Sequence, residues 1–187
     1  MADPLATAGR LRAFLELEAS ELTDERAEPL LQAASGEVIA YCGHGFTLET
    51  NAVRVYDGSG STVLLLAEQP LLAVHRVSVG PRSAREDLVE DTDYEWSADG
   101  MLRRLNGWRW PLRFGWVEID VDHGYPAVPD DVAGVVVRVA ARGITNPEGL
   151  TQETTGGYQA GYGQDDTRLC TLAAPDRRAL NPYRLAP

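Results

Sequence analysis

The hydrophobic period of this chain changes twice, and that limits its possible folds more than any other feature. Ala27, Leu30, Leu31, Ala34, Val38 and Tyr41 recur at helical spacing, as one buried face of an amphipathic helix does. The middle then switches to a period of two. Val53 and Val55 alternate with Arg54 and Tyr56, and Val117, Ile119 and Val121 alternate with Glu118, Asp120 and Asp122. After Pro129 the helical spacing returns in Val132, Val135, Val136, Val139 and Ala140. Helices segregated from consecutive strands make an α+β fold. The expected architecture is an antiparallel helical core with a β-hairpin or β-sheet insertion between its second and third main helices and an extended C-terminal arm. One domain over 1–187 is expected, with a helical core at about 5–47 and 129–143, an insertion at about 50–123 and an arm at about 146–187.

Local chemistry sets the boundaries. Leu5, Leu11, Phe14, Leu15 and Leu17 predict a first short helix. Thr23 is the expected N-cap of the second, with Asp24 and Glu25 favouring its dipole, and Gly43 and Gly45 end it. Asp57-Gly58-Ser59-Gly60-Ser61 is turn chemistry between Val53–Val55 and Val63–Leu66, so a hairpin is expected there. Val77 and Val79 predict a third strand and the charged stretch 82–93 a loop. Tyr94–Trp96 and Met101–Leu105 predict two strands around Asp99-Gly100. The third main helix starts at Pro129-Asp130-Asp131 with Gly143 as candidate C-cap. Thr151–Gln164 reads as an arm or ribbon, and a last helix between Thr171 and Arg184 is loosened by Pro175.

Composition excludes several classes. A chain of 187 residues buries roughly 70% of its unfolded surface, so it needs no disulfide or metal to fold. Its two cysteines, Cys42 and Cys170, are too few for a disulfide scaffold. The net charge is −11, with every basic residue an arginine, which argues against a sequence-reading grip on DNA but not against DNA passing by. Met1-Ala2-Asp3-Pro4 does not open a signal peptide. The longest apolar runs, Val63–Ala67 and Val135–Val137, fall far short of the ~20 residues of a membrane span.

No G-x-S-x-G elbow is present, and no serine or cysteine sits in a recognisable catalytic motif, so no catalytic residue is assigned. Asp120-Val121-Asp122-His123 is the most metal-like cluster, since carboxylates at i and i+2 on a strand point the same way. The alternative is a solvated strand face beside a turn. Cys42-Gly43-His44 lacks the partner pair a zinc site needs. Gly156-Gly157 and Gly161-x-Gly163 lack the context of a phosphate cradle. No metal or cofactor is therefore expected. Arg103, Arg104, Arg109 and Arg113 interleave with Trp108, Trp110 and Trp116, which suits either stacking on nucleic acid or arginine stems packed on indole rings.

As a whole, the order of parts resembles the head-to-tail adaptor (head-tail connector) proteins of tailed bacteriophages. The residues that carry the resemblance are the helix near Leu5–Leu17, the acidic-capped helix Thr23–Tyr41, and Val121-Asp122-His123-Gly124-Tyr125-x-x-Val128-Pro129-x-Asp131 running into the valine helix. They continue through Asn146-Pro147, Glu153-Thr154-Thr155-Gly156-Gly157-Tyr158 and Arg177-Arg178-Ala179-Leu180 to Tyr183-Arg184. The resemblance covers nearly the whole chain.

The resemblance implies a structural virion protein rather than an enzyme. Such adaptors form a ring, usually of twelve copies, beneath the portal, joining head to neck or tail and extending the DNA channel. It implies as partners the portal protein, a neck, stopper or tail-completion protein, and other copies of the chain, with DNA sliding through unread and no membrane. The location implied is the head-tail junction of the virion, reached from the host cytoplasm. The portal-facing residues it points to are Leu180, Tyr183, Arg184 and Leu185, and the acidic face of Glu118, Asp120 and Asp122 would line the channel. The alternatives are a neck or tail-completion protein of the same assembly and, further off, a metal-dependent hydrolase using Asp120, Asp122 and His123.

Overall fold

The computed structural model describes residues 3–145 and 170–185, together with the backbone of 152–155 and 158–161. The fold is α+β. It divides into a helical unit, 1–43 with 128–187, and a β unit, 44–127, inserted in sequence between two helices.

The helical unit holds α1 (Ala8–Leu15), α2 (Asp24–Cys42), α3 (Asp130–Thr145) and α4 (Ala174–Leu180), with α3 packed against the other three. Helix α1 is shorter than its apolar spacing suggests. The Thr7 hydroxyl accepts from the Arg10 N–H at 3.2 Å, which fixes the start, and Glu16 turns left-handed at φ 57°, which ends it. Phe14, expected on the buried side, is 55% exposed. The chain before α1 is held by Ser35, whose buried hydroxyl accepts from the Leu5 N–H at 2.9 Å and donates to the Leu31 carbonyl at 2.6 Å. Helix α2 starts after Thr23 and ends at Gly43, φ 84°, as expected. Helix α3 runs past the expected cap. Gly143 is buried within it, and the Thr145 hydroxyl donates back to the Ala141 carbonyl at 3.2 Å. Its valines are buried on several sides, which offsets their weak helix propensity. In α4, Pro175 does no harm, because it lies in the first turn, where its missing N–H has no partner to lose. The backbone of β8 (Gln152–Thr155) pairs antiparallel with β9 (Tyr158–Gly161), in line with the expected ribbon. Asn146-Pro147, Gly156-Gly157 and Gly163 lie outside the described residues.

The β unit has two antiparallel sheets. β1 (Glu49–Tyr56), β7 (Val117–His123), β3 (Leu71–Val79) and β4 (Glu86–Leu88) lie side by side in that order. β2 (Val63–Leu65), β6 (Met101–Arg104) and β5 (Tyr94–Ser97) form the second. Their inner faces share one core around Leu64, Leu71, Val77, Leu102, Trp110 and Ile119. The expected hairpin of β1 with β2 does not form. β1 pairs with β7 and β2 with β6, so residues 57–61 cross from one sheet to the other. The Gly58 N–H is taken by the Arg113 carbonyl at 2.8 Å, and a Cβ at Gly58 would sit 1.7 Å from the Pro111 oxygen. The faces of β1 are also the reverse of its hydropathy: Ala52, Arg54 and Tyr56 turn inward, while Val53 and Val55 are 50% and 46% exposed. Arg54 is accommodated by ion pairs to Glu49 (2.6 Å) and to the buried Glu68 (3.2 Å), which Tyr56 also contacts through its hydroxyl. The expected loop 82–93 contains β4, a charged edge strand of the kind that resists pairing with other chains.

Candidate functional site

Three features of the surface bear on function: the outer face of β7, the arginine and tryptophan region, and the C-terminal residues.

Alternation along β7 buries Val117, Ile119, Val121 and His123 and leaves Glu118, Asp120 and Asp122 on the other face. Glu118 takes Arg76 at 3.0 Å and also pairs with Arg85. Asp122 accepts the Asn51 N–H at 2.8 Å and pairs with His75 at 2.9 Å. Those two contacts hold the Asp122 carboxyl below the usual carboxylate range, the Asn51 N–H first, while the hydrogen bond to Asp122 holds the His75 imidazole above its ordinary value. Two of the three acidic groups are thus partnered by side chains from β3, Arg76 and His75, with Arg85 from the loop after it. Asp120 faces Arg76 across the β7–β3 pairing. His123 cannot join Asp122 at a metal, because successive side chains on a strand point to opposite faces. Its ring lies on the inner side, 3.7 Å from Glu49, and burial pushes its pKa down. Among the described residues no group of three or more His, Cys, Asp or Glu side chains is disposed to hold a metal. Cys42 is buried, which pushes its thiol up to about 11 against the pull of Arg184. His44 lies 4.9 Å from the ring of Phe46, which stacks at 5.6 Å on Tyr125.

Gly124, between His123 and Tyr125, has a local reason to be glycine. Its φ is +93°, and a Cβ there would come within 2.1 Å of the Thr47 carbonyl oxygen. Its N–H bonds the Pro70 carbonyl at 2.9 Å.

The four arginines among the tryptophans do not form one basic platform. Arg104 lies over the buried Trp110 ring at 5.6 Å and Arg113 over Trp116 at 5.8 Å. Arg103 pairs with Glu95 across β6 and β5, and Arg109 donates to the Gly60 carbonyl at 3.4 Å. The Trp110 Nε1–H reaches the Leu102 carbonyl at 3.3 Å. Leu112 and Phe114, which no pattern in the sequence singles out, are among the most exposed large apolar residues described.

Of the four C-terminal residues singled out above, Leu180 is fully buried and belongs to the helical core, whereas Tyr183 and Leu185 are half-buried and Arg184 is exposed. Leu180 closes α4, which is fastened to α3 by Asp176. This buried carboxylate receives Arg138 at 3.1 Å, Arg142 at 2.6 Å and the Ala173 N–H at 3.2 Å. Residues 181–185 are tied to the end of α2. Tyr41 donates to the Asn181 side chain at 2.8 Å, Arg184 lies over the Tyr41 ring at 5.0 Å, and the Leu185 N–H bonds the Cys42 carbonyl at 2.9 Å.

No protein-family model and no curated protein matches the sequence. Among solved structures, the neck of an empty GTA (gene transfer agent) particle computed with C6 symmetry contains a chain of similar fold. It superposes with a TM-score of 0.62 at 14% identity, over 100% of this chain and 94% of that one. At that identity the likeness is one of fold, and it extends over both units and the C-terminal segment.

Proposed function

We propose that this chain is a structural virion protein that forms a ring beneath the portal of a phage-like particle, joining head to neck or tail and extending the DNA channel. The likeness of fold, over essentially the full length of both chains, to a chain from a particle neck carries this reading. A neck computed with sixfold symmetry is compatible with rings whose copy number is a multiple of six, twelve among them. A neck or tail-completion role rests on the same likeness, which is to a neck and does not single out the ring that touches the portal. The hydrolase alternative loses its residues, because Asp122 and His123 face opposite ways.

On this reading Tyr183, Arg184 and Leu185 meet the portal, with Leu180 anchoring the helix that presents them. Glu118, Asp120 and Asp122 line the channel. The partnering of Glu118 by Arg76 and Arg85 and of Asp122 by His75 softens the field at the wall, and a surface that neither grips nor strongly repels phosphates lets DNA slide.

Native mass spectrometry of the protein, alone and mixed with the portal protein of the same particle, tests the proposal. A discrete complex of portal-matching copy number is expected. A protein that stays monomeric and ignores the portal overturns the portal-ring reading, and binding to a neck or tail component instead would favour the second role.

A further inference from the structure

The turn that follows β6 carries a residue pair with chemistry of its own. Asn106 and Gly107 stand exposed at its tip with φ of 54° and 77°, and the Trp108 N–H bonds the Leu105 carbonyl at 3.0 Å. Positive φ at both central residues is the pattern of a type I′ turn, which favours Asn-Gly. Asn106 donates from Nδ2 to the Thr92 carbonyl at 3.0 Å, a single hydrogen bond that holds its carboxamide. Among the described residues no acceptor takes the Gly107 N–H, and nothing lies within 4 Å of where a Gly107 Cβ would stand. The backbone nitrogen that follows Asn106 is therefore unbonded and uncrowded.

The chain has four asparagines, and the other three lack that combination. Asn146 and Asn181 precede proline, whose nitrogen has no hydrogen to give up. Asn51 precedes Ala52, a buried residue of β1 held in register with Val121, which also sets a methyl group beside the nitrogen. We propose that Asn106-Gly107 is a site of spontaneous modification, at which the folded chain converts Asn106 to isoaspartate and aspartate. The Gly107 nitrogen gives its proton to solvent base and attacks the Asn106 Cγ. The new C–N bond closes a five-membered succinimide, and the Cγ–Nδ2 bond breaks as the amide nitrogen takes up a proton and leaves as ammonia. Water then opens the ring. Addition at the main-chain carbonyl carbon of Asn106 routes the backbone through Cγ and gives isoaspartate, and addition at Cγ gives aspartate. The balance is water in and ammonia out, with no oxidant or reductant.

Either product adds one negative charge and removes the Nδ2 donor from Thr92. Isoaspartate also lengthens the main chain by one carbon between Leu105 and Trp108, which spoils the closure of the turn. This chemistry is independent of what the chain assembles into.

The full chain is incubated in mildly alkaline buffer, with and without urea, and mapped by mass spectrometry with electron-transfer fragmentation, which tells isoaspartate from aspartate. Both products are expected at position 106 before any change at Asn51, and more slowly in mildly acidic buffer, where the nitrogen keeps its proton. Urea is expected to speed conversion about fivefold, the value of one hydrogen bond such as that to Thr92. Asn106→Gln, which would need a six-membered ring, is expected to show no conversion there over the same period, and circular dichroism checks that it keeps the parent fold. In the isoaspartate fraction, hydrogen exchange is expected to show loss of protection at the Trp108 amide. A folded chain that keeps the Asn106 amide while the urea-unfolded chain loses it overturns the proposal, as does conversion of Asn51 ahead of Asn106. Aspartate without isoaspartate overturns the succinimide route, and unchanged protection at Trp108 overturns the loosening of the turn.

Discussion

Arg142 of α3 donates from Nη2 to the Asp176 Oδ2 at 2.6 Å, and this pair fastens the last helix to the valine helix. Asp176 is 1% exposed and takes a second guanidinium from Arg138. A buried carboxylate stripped of a charged donor loses more than the bond itself, because it cannot recover water. Arg142→Ala is therefore expected to lower unfolding stability by about 2–4 kcal/mol. Arg138→Ala should cost less, since its side chain is 43% exposed and its loss is screened. Urea unfolding followed by circular dichroism measures both, and equal small effects would remove the pair from this role.

Leu180 and Arg184 lie four residues apart and do different work. Leu180→Ala opens a cavity in the helical core and is expected to cost about 2–4 kcal/mol. Arg184→Ala gives up only its place over Tyr41, worth about 1 kcal/mol or less. If Arg184 faces the portal, its loss weakens portal binding while thermal unfolding stays near the parent value.

His75 and His123 are expected to titrate on opposite sides of the ordinary imidazole value of about 6.5. His75 is held above it, mainly by its hydrogen bond to Asp122, and His123 below it, mainly by burial. A raised folded value means the folded state binds the proton more tightly. The contribution of His75 is then complete below the unfolded value and is lost as pH rises through its folded one. For His123 the unfolded chain protonates first, so its contribution is complete above the unfolded value and falls as pH drops toward its folded value. Ring-proton NMR titration should give His75 the higher pKa. His123→Gln should flatten the acid side of the stability profile and His75→Gln the alkaline side.

Gly124→Ala must place a methyl group 2.1 Å from the Thr47 oxygen at a φ of +93°. A loss of at least about 2 kcal/mol is expected. Gly36, on the exposed side of α2 with nothing within 4 Å of a would-be Cβ, is the control. Gly36→Ala should gain about 0.5–1 kcal/mol through helix propensity. Thermal melts of the two variants should move in opposite directions.

Cys42 and Cys170 are both buried, and burial raises both thiols, Cys42 to about 11. Since the thiolate is the reactive form, neither is expected to react with a disulfide reagent in the native protein, and both should in urea. Rapid native labelling of Cys42 would contradict its burial at the end of α2 beside Leu185.

Much of the fold was legible in local pattern. The period switches located α2, β7 and α3, Gly43 marked a helix end, and Asp99-Gly100 marked the β5–β6 turn. The pairing of β1 with β7 and of β2 with β6 is not legible locally, because turn chemistry records that a chain can bend, not which strand it then joins. Gly143 does not cap α3, because it is buried within the helix by tertiary packing, which spacing alone does not reveal. Of the candidate site, the acidic alternation of β7 was readable. The side chains that answer it, Arg76 and Arg85 at Glu118 and His75 at Asp122, are more than thirty residues distant in sequence and come together only through strand pairing.

The sequence by itself determined the class of fold, the order of helix and strand, and the acidic balance, because these follow from near-neighbour spacing and summed charge. The tertiary structure decided which strands pair, that Leu180 is core while Arg184 is surface, and that Leu112 and Phe114 stand open to solvent. Those outcomes depend on which distant segments compete for the same apolar surface, and that competition is settled only when the whole chain packs.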